Sequence, residues 1–434
     1  MRIIVIGSGA REHAIVWKLN QSKLTEKVFL LPGNGGTENN INIKISDFEG
    51  IKKFCKLEKI NLIIVGPEVP LVNGIVDYFE DSKIKVFGPD KTASKLEGSK
   101  IFAKKFMKKY GVATGNFREF KNKDSAEKFI KNKKGNCVVK YDGLAAGKGV
   151  YVCSEIEEAE KAIEDIDSKY GKKASFLIEE KLIGSELSII AFTDGENYQL
   201  LLPSQDHKQL LDGNKGPNTG GMGAFCPVPF YNDELHKKII KEIIDPTIKG
   251  IKEENFNYKG VIYFGLMVTE NGPKVLEYNV RLGDPETEVI LPALRSDLLE
   301  LIFSCFNGSL KNFKIEFNDG YFVDVVLASG GYPKFYRKGY EITGFEKLNK
   351  DTIIFHAGTK KEDNKILTNG GRVLNVVSKG ISLGNAIDNV YKECKKVRFK
   401  DVYFRNDIGK RSFNLEKCIG ETSNETDRIC KVVE

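Results

Sequence analysis

The strongest constraint on the fold comes from the first 90 residues, in which strand-like and helix-like segments alternate. Apolar runs such as RIIVIG, VFLLPG, NLIIVGPE and KVFGPD end in glycine or proline and are separated by helix-like stretches. Strands that alternate with helices at this spacing form a parallel, doubly wound sheet, with ligand-binding loops at the carboxyl ends of the strands. The loops GSGARE, PGNGGT and GPEVPLVNG are therefore expected at one edge of this sheet.

The rest of the chain predicts further domains, because 434 residues exceed what one hydrophobic core usually holds. An amphipathic helix is predicted over 94–110, then a compact α/β unit made of a hairpin, a helix from about 156 to 170 and a strand. The segment SQDHKQLLDGNKGPNTGGMGA is interpreted as a long loop. Short strands and one helix beyond about 320 predict a small β-rich closing domain, and residues after about 420 are predicted to form a frayed tail.

Composition excludes several classes of protein. The hydrophobic share of 41% and the charged share of 29% are ordinary for a globular chain, and no apolar run is long enough to span a bilayer. The N-terminus enters a strand at once, without room for a signal peptide, so we expect a cytoplasmic protein without membrane contact. Eight cysteines without a CxxC pair argue against a zinc site or a disulfide framework, and the net charge of +7, spread over lysine-rich helices, argues against nucleic-acid binding.

The stretch VVKYDGLAAGKGVYV, residues 138–152, predicts a glycine-rich hairpin that binds phosphate. Glycines allow backbone N–H groups to approach an anion, and Lys148 adds a positive charge. The stretch is not a P-loop, because it lacks one spacer residue and has Gly149 where a serine or threonine should follow the lysine. The segment after Gly149 also reads as a strand rather than a helix, so the hairpin is expected to lie across its ligand.

The stretch VLEYNVRLGDPETEV predicts a metal site. In a strand, alternate side chains share a face, so Glu277, Asn279 and Arg281 are expected to point the same way. A carboxylate and an amide oxygen are hard ligands that suit Mg²⁺, which usually completes its coordination with water and nucleotide phosphates. The arginine one step further is placed to bind an anion through two hydrogen bonds. The alternative for this segment is an antiparallel strand with one solvated face.

These features together resemble the ATP-grasp superfamily: a glycine-rich strand–loop–strand, Lys140 before it, the segment IEEKL and a later E-x-N-x-R strand. The loops extend the resemblance from residue 1 to about 412, and in order they are similar to those of the phosphoribosylamine–glycine ligase family. The motifs that carry this resemblance are GSGAREHA, PGNGGT, VGPEVPLVNG, FGPD, LEGSK, KYDGLAAGKGV, SQDHK, GPNTGGMGA, GLMV, EYNVRLGDPET, ASGGYP, FHAGT and TNGGRVL. Of these, SQDHK, GPNTGGMGA and GDPET in this order are the most specific.

The resemblance implies an enzyme that joins glycine to 5-phosphoribosylamine with ATP, through glycyl phosphate, in purine biosynthesis. Its cofactors would be ATP and Mg²⁺ (or Mn²⁺), with Glu277 and Asn279 as metal ligands. Lysines and the hairpin would hold the phosphates, and 179–186 would meet adenine and ribose. The nucleotide-binding residues implied are Lys104, Lys140, Gly143, Gly147, Lys148, Gly149, Glu179, Leu182 and Glu186.

The resemblance also implies where the other two substrates bind. The N-terminal loops 7–12 and 33–36 would take the ribose phosphate, and Arg281 and Asp284 would lie beside the reacting carboxylate. Arg281, Asp284 and Lys148 are the catalytic residues implied. The substrate-binding residues implied are Gly9, Arg11, Glu12, Asn34, Gly35, Asp206, Lys208, Arg281, Asp284 and Pro285.

The implied fold is α/β and α+β with several domains: an N-terminal doubly wound parallel sheet, an ATP-grasp core with a mobile lid, and a small C-terminal β-rich domain. The expected limits are 1–103 for the Rossmann-like domain, 104–318 for the ATP-grasp domain with its lid at 119–187, 319–420 for the C-terminal domain and 421–434 for the tail. A monomer is expected.

Several residues have a simpler alternative. The alternative for Lys104 is a place on a lysine-rich helix face, and the alternative for Glu179 and Glu180 is a role as surface charges at a strand end. His207 is better explained as a residue that structures its loop than as a base. Two positions depart from the family pattern. Ala10 stands where a second adjacent glycine is common, in the N-terminal phosphate loop, and Tyr141 replaces a small residue at the hairpin.

The sequence disfavours three other functions. A dehydrogenase is disfavoured because Glu12 replaces the third glycine of GxGxxG and the second strand ends in PGN rather than in an acidic residue. A biotin-carboxylase-like enzyme shares E-x-N-x-R, but the residues that follow the arginine differ from GDPETE. A noncatalytic nucleotide-binding scaffold would not need Glu277, Asn279 and Arg281 on one face.

Overall fold

The N-terminal region is a parallel sheet with loops at one edge, as predicted. The computed structural model describes residues 1–145, 149–171 and 173–412. Four strands pair in parallel in the order β2-β1-β3-β4, and the apolar side chains of β1 and β3 are almost fully buried. The elements are β1 Arg2–Gly7, α1 Ala10–Leu19, β2 Lys27–Pro32, α2 Phe48–Leu57, β3 Leu62–Val65, α3 Glu68–Val72, α4 Ile75–Tyr78 and β4 Lys85–Pro89.

The helix predicted over 94–110 is wrong in one respect, because it is broken at Ser99. Helix α5 spans Lys95–Gly98 and α6 spans Lys100–Tyr110. Ser99 lies between them in an extended conformation (φ −137°, ψ 114°), and its side chain accepts a hydrogen bond from the N–H of Phe102. Serine is a favoured N-cap residue because its oxygen satisfies a first-turn N–H, so α6 begins anew after Gly98.

A separate four-stranded unit, residues 117–180, follows α6. Its antiparallel sheet has the order β5-β8-β6-β7, and β6 and β7 form the predicted hairpin. Two helices cover the sheet and enclose a hydrophobic core of its own, which includes Val139, Ile163 and Phe176. The elements are β5 Phe117–Phe120, α7 Lys123–Asn132, β6 Cys137–Tyr141, β7 Val150–Cys153, α8 Ile156–Tyr170 and β8 Phe176–Glu180.

The central region extends the N-terminal sheet. Strand β15 pairs with β4 through Tyr258 and Lys259, and then with β9 and β16, so that one eight-stranded sheet runs through both regions. A π-helix at Ile240–Ile244 joins α9 to α10, and a 3₁₀ turn at Leu310–Asn312 follows α12. The elements are β9 Ser185–Thr193, β10 Tyr198–Leu200, β11 Gln205–Asp206, β12 Gln209–Leu211, β13 Lys215–Asn218, β14 Gly223–Cys226, α9 Asp233–Ile239, α10 Asp245–Glu253, β15 Tyr258–Thr269, β16 Gly272–Asn279, α11 Thr287–Ala293 and α12 Leu298–Asn307.

The C-terminal region is the predicted small β-rich unit with one helix. Its elements are β17 Tyr321–Ser329, β18 Ile353–His356, β19 Thr359–Glu362, β20 Lys365–Thr368, β21 Arg372–Gly380, α13 Leu383–Cys394 and β22 Val402–Tyr403, with a 3₁₀ turn at Phe345–Lys347. The sheet runs in the order β11-β14-β17-β21-β18, with β22 also paired to β17. The predicted tail at 421–434 lies outside the described residues.

The segment 204–224, interpreted from the sequence as a long loop, contains four short strands. Strands β11 and β14 pair with each other, and β14 pairs with β17 of the C-terminal region. Strands β12 and β13 form a separate hairpin between them. The local sequence of β14 does not predict a strand. Its backbone N–H and C=O groups are satisfied by pairing with β17, which lies about a hundred residues further along the chain. None of the described helices combines the length and the apolar character needed to cross a membrane.

Candidate active site

The site is organised around a bulge in β16 that re-aims Glu277. The pairing of β16 with β15 shifts register here, since Glu277 opposes Gly265 while Val275 opposes Leu266. The extra residue, Leu276, turns its carbonyl oxygen toward Lys140 Nζ at 3.0 Å. Burial acts against ionisation of Glu277, but Lys208, Lys140 and Lys100 outweigh it and hold its pKa below the ordinary value. Glu277 is therefore an ionised carboxylate surrounded by lysines, next to a bulge of the kind often found at functional sites.

Asn279 and Arg281 meet at a residue that the sequence analysis did not single out, Glu97. In the amide orientation that satisfies its hydrogen bonds, Asn279 Nδ2 donates to Glu97 Oε1 at 3.0 Å, which turns Asn279 Oδ1 the other way. Arg281 NH2 contacts the same Glu97 oxygen at 2.9 Å, and its Nε lies 3.7 Å from Glu68. Burial raises the pKa of Glu97 to about 7, although Arg281 opposes this. Glu97 thus fixes the side chains of Asn279 and Arg281 together.

Two predicted nucleotide-binding lysines share one buried carboxylate. Glu179 Oε2 lies 3.0 Å from Lys140 Nζ and 3.2 Å from Lys104 Nζ, so Glu179 is not a surface charge. Lys104 is 2% exposed and also donates to Thr114 Oγ1 at 2.6 Å. Burial lowers the pKa of Lys104 to about 8, with Glu179 acting in the opposite direction. Lys104 is therefore held by internal contacts, and its predicted contact with phosphate stays a prediction.

A third lysine, Lys100, was missed by the sequence analysis although it lies in the quoted motif LEGSK. Its Nζ donates to the carbonyl of Gly143 in the hairpin at 3.1 Å. Burial and Lys140 lower its pKa, whereas Glu277 raises it. Lys100 therefore joins the hairpin to the Glu277 region. The assigned residues Gly147 and Lys148 lie outside the described residues, while Gly149 accepts a hydrogen bond from the N–H of Tyr141 at 2.9 Å.

Strands β11 and β14 bring the SQDHK segment to the same region. Lys208 Nζ lies 3.5 Å from Glu186 and 3.8 Å from Glu277. Although burial acts against it, these carboxylates hold the pKa of Lys208 well above its ordinary value. The neighbouring Asp206 has a carboxylate oxygen that is buried without a partner. Burial and the nearby Glu286 raise the pKa of Asp206 well above its ordinary value.

His207, between these two residues, makes structural contacts. Its Nε2 accepts a hydrogen bond from the N–H of Gly409 at 3.2 Å, and burial lowers its pKa to about 4. These contacts support the interpretation of His207 as a loop-structuring residue. Leu182 is half-buried after the end of β8, close to Gly115.

Asp284 is held by an arginine from the C-terminal region. The two oxygens of Asp284 lie 2.8 and 3.0 Å from the two terminal nitrogens of Arg372, which also donates to the carbonyl of Gly220. Gly9 is close on the other side, since a Cβ added there would lie 3.6 Å from Asp284 Oδ2. Arg372 lies in the motif TNGGRVL, but nothing in the local sequence marks an arginine of β21 as a partner of Asp284.

Pro285 packs against Gly221 of the GPNTGGMGA motif, and this contact requires a glycine. Gly221 has φ +107°, and a Cβ added to it would lie 2.4 Å from Pro285 and 2.8 Å from Asp206. Only glycine adopts this conformation readily and leaves this space free. Asp206, Pro285 and Gly221 therefore line one narrow region between β11 and the GDPET segment.

The N-terminal loops meet one another, but their polar groups are largely engaged. Arg11 and Glu12 are buried and form an ion pair at 2.6 Å, and Glu12 also accepts from the N–H of Gly9. Asn34 Nδ2 donates to the carbonyls of Ser8 and His356, which ties the two loops to β18. The N–H of Gly35 is taken by Thr359. The structure thus gives these assigned residues positioning contacts, and their contact with a substrate phosphate stays a prediction.

Family models described as "Phosphoribosylglycinamide synthetase" match the chain in three parts, with the N domain at 1–97, the ATP-grasp (A) domain at 98–287 and the C domain at 322–411. The phosphoribosylamine–glycine ligase of Clostridium acetobutylicum is 46% identical over 418 residues, which cover 94% of this chain and 100% of that protein.

Solved structures agree with these matches. The crystal structure of phosphoribosylamine–glycine ligase from Thermotoga maritima superposes with a TM-score of 0.81 at 37% identity, and covers 94% of this chain and 100% of that one. Biotin carboxylase from Campylobacter jejuni superposes with a TM-score of 0.69 at 13% identity over 97% of this chain and 95% of that one, a likeness of fold alone.

The extended mixed sheet, the four-stranded unit with its hairpin and the Glu277–Asn279 strand define an enzyme of the ATP-grasp class. Within that class the sequence matches span nearly the whole chain. The chain belongs to the phosphoribosylamine–glycine ligase family. The predicted fold class and the predicted family are both confirmed.

Proposed function

We propose that the cleft bounded by the four-stranded unit, β16 and the C-terminal region carries out the ATP-dependent ligation of glycine to 5-phosphoribosylamine. The chain is a ligase that forms a carbon–nitrogen bond, a step of purine biosynthesis. The observation that carries the residue-level proposal is the clustering of Lys100, Lys140 and Lys208 around the ionised Glu277. Such a cluster suits a polyanion bound together with a divalent cation.

Glu277 and Asn279 fit the magnesium (or manganese) site implied by the fold. Glu277 keeps a lowered pKa despite burial, and Asn279 Oδ1 is turned away from Glu97, so both oxygens are available as hard ligands. Within the described residues there is no group of three His, Cys, Asp or Glu side chains that could hold a metal, so phosphate and water oxygens would complete the coordination. When bound, the ion would neutralise charge on the transferred phosphoryl group.

The lysines position the phosphates of ATP. Lys140 lies at the end of β6 and Lys100 at the start of α6, and both act electrostatically on Glu277. Glu179 holds Lys140, so this lysine is pre-oriented and needs little reorganisation when ATP binds. The adenine and ribose are proposed to lie at 179–186, where Glu186 is already paired with Lys208.

The chemical step is attack of the glycine carboxylate on the γ-phosphorus of ATP. This gives glycyl phosphate and ADP. The amine of phosphoribosylamine then attacks the acyl carbon, and phosphate leaves. Arg281 is proposed to orient the glycine carboxylate, and Asp284 is proposed to lie beside that carboxylate. Exclusion of water from the site protects the acyl phosphate from hydrolysis. The loops at Gly9 and Gly35 are proposed to receive the ribose phosphate.

The domain limits expected from the sequence, 1–103, 104–318 and 319–420, belong to the same proposal, as do a monomeric state and a cytoplasmic location. Strands β11 and β14 pair with the sheet of the third region although they lie within the second. Light scattering at working concentration tests the monomer, and an assembly of two or more chains contradicts it.

The experiment that tests the function measures ADP release. Release should require glycine and rise when phosphoribosylamine is present, with amide product formed in equal amount. With glycine labelled by ¹⁸O in its carboxylate, the phosphate released should contain one labelled atom, because the bridging oxygen of the acyl phosphate leaves with phosphorus. Unlabelled phosphate alongside the amide, with exchange into water excluded, contradicts the glycyl phosphate route.

A further inference from the structure

The end of β6 contacts the start of α6 through a carboxylate that the function above does not use. Asp142 Oδ1 accepts a hydrogen bond from Ser99 Oγ at 2.8 Å and another from the N–H of Ile101 at 3.1 Å. Ser99 Oγ in turn accepts from the N–H of Phe102 at 3.1 Å. Two of the first-turn N–H groups of α6 are therefore satisfied by a joint cap, and one of the two capping residues comes from the four-stranded unit.

A carboxylate is well suited to this position. The first N–H groups of a helix have no partner within the helix, and its N-terminus carries a partial positive charge that favours an anion. A hydrogen bond to an ionised acceptor is also stronger than one between neutral groups. The contact between Asp142 and α6 is therefore stronger than an ordinary surface contact between two parts of a chain.

Neighbouring contacts fix the same short segment on both sides. The carbonyl of Gly143 accepts from Lys100 Nζ at 3.1 Å, which adds a second link to α6. On the other side, the N–H of Asp142 donates to the carbonyl of Ser175 at 3.0 Å. The ring of Tyr141 stacks on Tyr170 with centroids 3.7 Å apart, so residues 141–143 are anchored in their own unit as well.

We propose that Asp142 is a positioning residue that docks the four-stranded unit onto the N-terminus of α6. This docking holds Lys140, two residues before it, and Lys100, at the start of α6, toward the same phosphate chain beside Glu277. The inference rests on the proposed function for its catalytic consequence. The four-stranded unit has a hydrophobic core of its own, so loss of the cap loosens the docking while the unit stays folded.

The test compares substitutions on both sides of the contact with a matched control. Asp142→Ala removes the acceptor, Asp142→Asn keeps an oxygen but removes the charge, and Ser99→Ala removes the other half of the cap. Asp124→Asn is the control, because Asp124 is exposed in the same unit and lies in the first turn of α7. KM for ATP and kcat are measured for each variant, together with hydrogen exchange at 141–145 and 149–153 in the presence and absence of ATP.

Asp142→Ala should raise KM for ATP about tenfold or more, with kcat at saturating ATP within about threefold of the parent, because a smaller fraction of molecules is docked before ATP binds. Asp142→Asn should show a smaller rise in KM, and Ser99→Ala combined with Asp142→Ala should show less than the product of the two single effects. Hydrogen exchange at 141–145 and 149–153 should be faster in Asp142→Ala, and ATP should restore less protection than in the parent. Asp124→Asn should match the parent in every measurement.

Two outcomes overturn the proposal. A lower KM for ATP in Asp142→Ala means that the carboxylate occupies a place that an anion must take, and so competes with ATP instead of docking the unit. Values equal to those of Asp124→Asn, or strictly multiplicative effects in the double variant, mean that the contact has no positioning role. Hydrogen exchange with and without ATP needs no amine substrate, so a parent enzyme that fails to form the amide refutes the proposed function, while the exchange comparison still tests the docking.

Discussion

The pair formed by Arg372 and Asp284 gives the sharpest prediction about the substrate side of the site. Arg372→Lys keeps the positive charge, but an ammonium group cannot reproduce the two parallel bonds of 2.8 and 3.0 Å or the additional bond to Gly220. A hydrogen bond to a charged group contributes about 1.5–3 kcal/mol. The two side chains are 21% and 16% exposed, so we use the lower end of this range, about 1.5 kcal/mol.

This value predicts a fall of about tenfold in kcat/KM for glycine, since about 1.4 kcal/mol corresponds to a factor of ten. KM for ATP should stay unchanged, because neither Arg372 nor Asp284 is among the residues proposed to hold ATP. Arg372→Met should cost more, because it leaves Asp284 without its cation near two further carboxylates, Glu288 and Asp324.

Glycine-dependent ADP release measures both constants. Arg398→Lys is the matched control, since Arg398 is an exposed arginine of the same region. The reasoning is refuted if Arg372→Lys behaves like Arg398→Lys, or if its effect falls on ATP and leaves glycine unaffected.

Further predictions concern the proposed metal ligand Glu277, the buried Lys104 and the buried His356. Glu277→Gln should lower turnover by roughly 10²-fold or more even at saturating Mg²⁺, because one preorganised charge is removed. Near-normal turnover would contradict the assignment of Glu277 as a metal ligand. Lys104→Met should lower the free energy of unfolding in urea by about 1–3 kcal/mol through loss of its bond to Glu179, and should also raise KM for ATP because Lys104 is predicted to contact a phosphate; an unchanged KM for ATP would contradict that contact. His356 has a pKa lowered to about 3 by burial and by His13, so the unfolded chain binds more protons between that value and about 6.5, and stability is lost as the pH falls through this window. His356 should therefore contribute about 1.4 kcal/mol to the loss of unfolding free energy between pH 7.5 and 5.5, and a His356→Gln variant with an equally steep loss would contradict the assignment.

Local sequence patterns predicted the elements that depend on local chemistry. The hairpin at 138–152 and helix α8 at Ile156–Tyr170 follow from glycine placement and apolar periodicity, and the structure has both. Glu277 and Asn279 flank the buried Tyr278 in one strand, as alternation requires, but β16 ends at Asn279, so the expectation that Arg281 continues the same strand face is wrong. The family was recognised from ordered loop motifs, because loops that bind ligands carry unusual combinations of glycine and charged residues.

What the sequence did not predict depends on contacts between distant residues. The break at Ser99 is stabilised by Asp142, which lies in the four-stranded unit. The apolar periodicity of 94–110 carries no sign of this contact and therefore predicted one continuous helix. The bulge at Leu276 arises from pairing with β15 and is invisible in β16 itself. Arg372 reaches Asp284 across 88 positions, and no spacing rule connects an arginine in one strand to a carboxylate in a distant turn.

The shared sheet of β11, β14 and β17 has a consequence for the order in which the protein is made. Ribosomes release the N-terminal part of a chain first, and early regions begin to fold before later ones exist. The segment that carries Asp206 and Lys208 emerges about a hundred residues before β17, the strand on which β14 pairs. Until β17 has been synthesised, this segment has no partner strand on that side, and Asp284 has no Arg372. A chain that stops before residue 321 therefore lacks the partner strand and the arginine of its substrate region even when Lys100, Lys104 and Lys140 are all present, and we expect such a fragment to lack ligase activity.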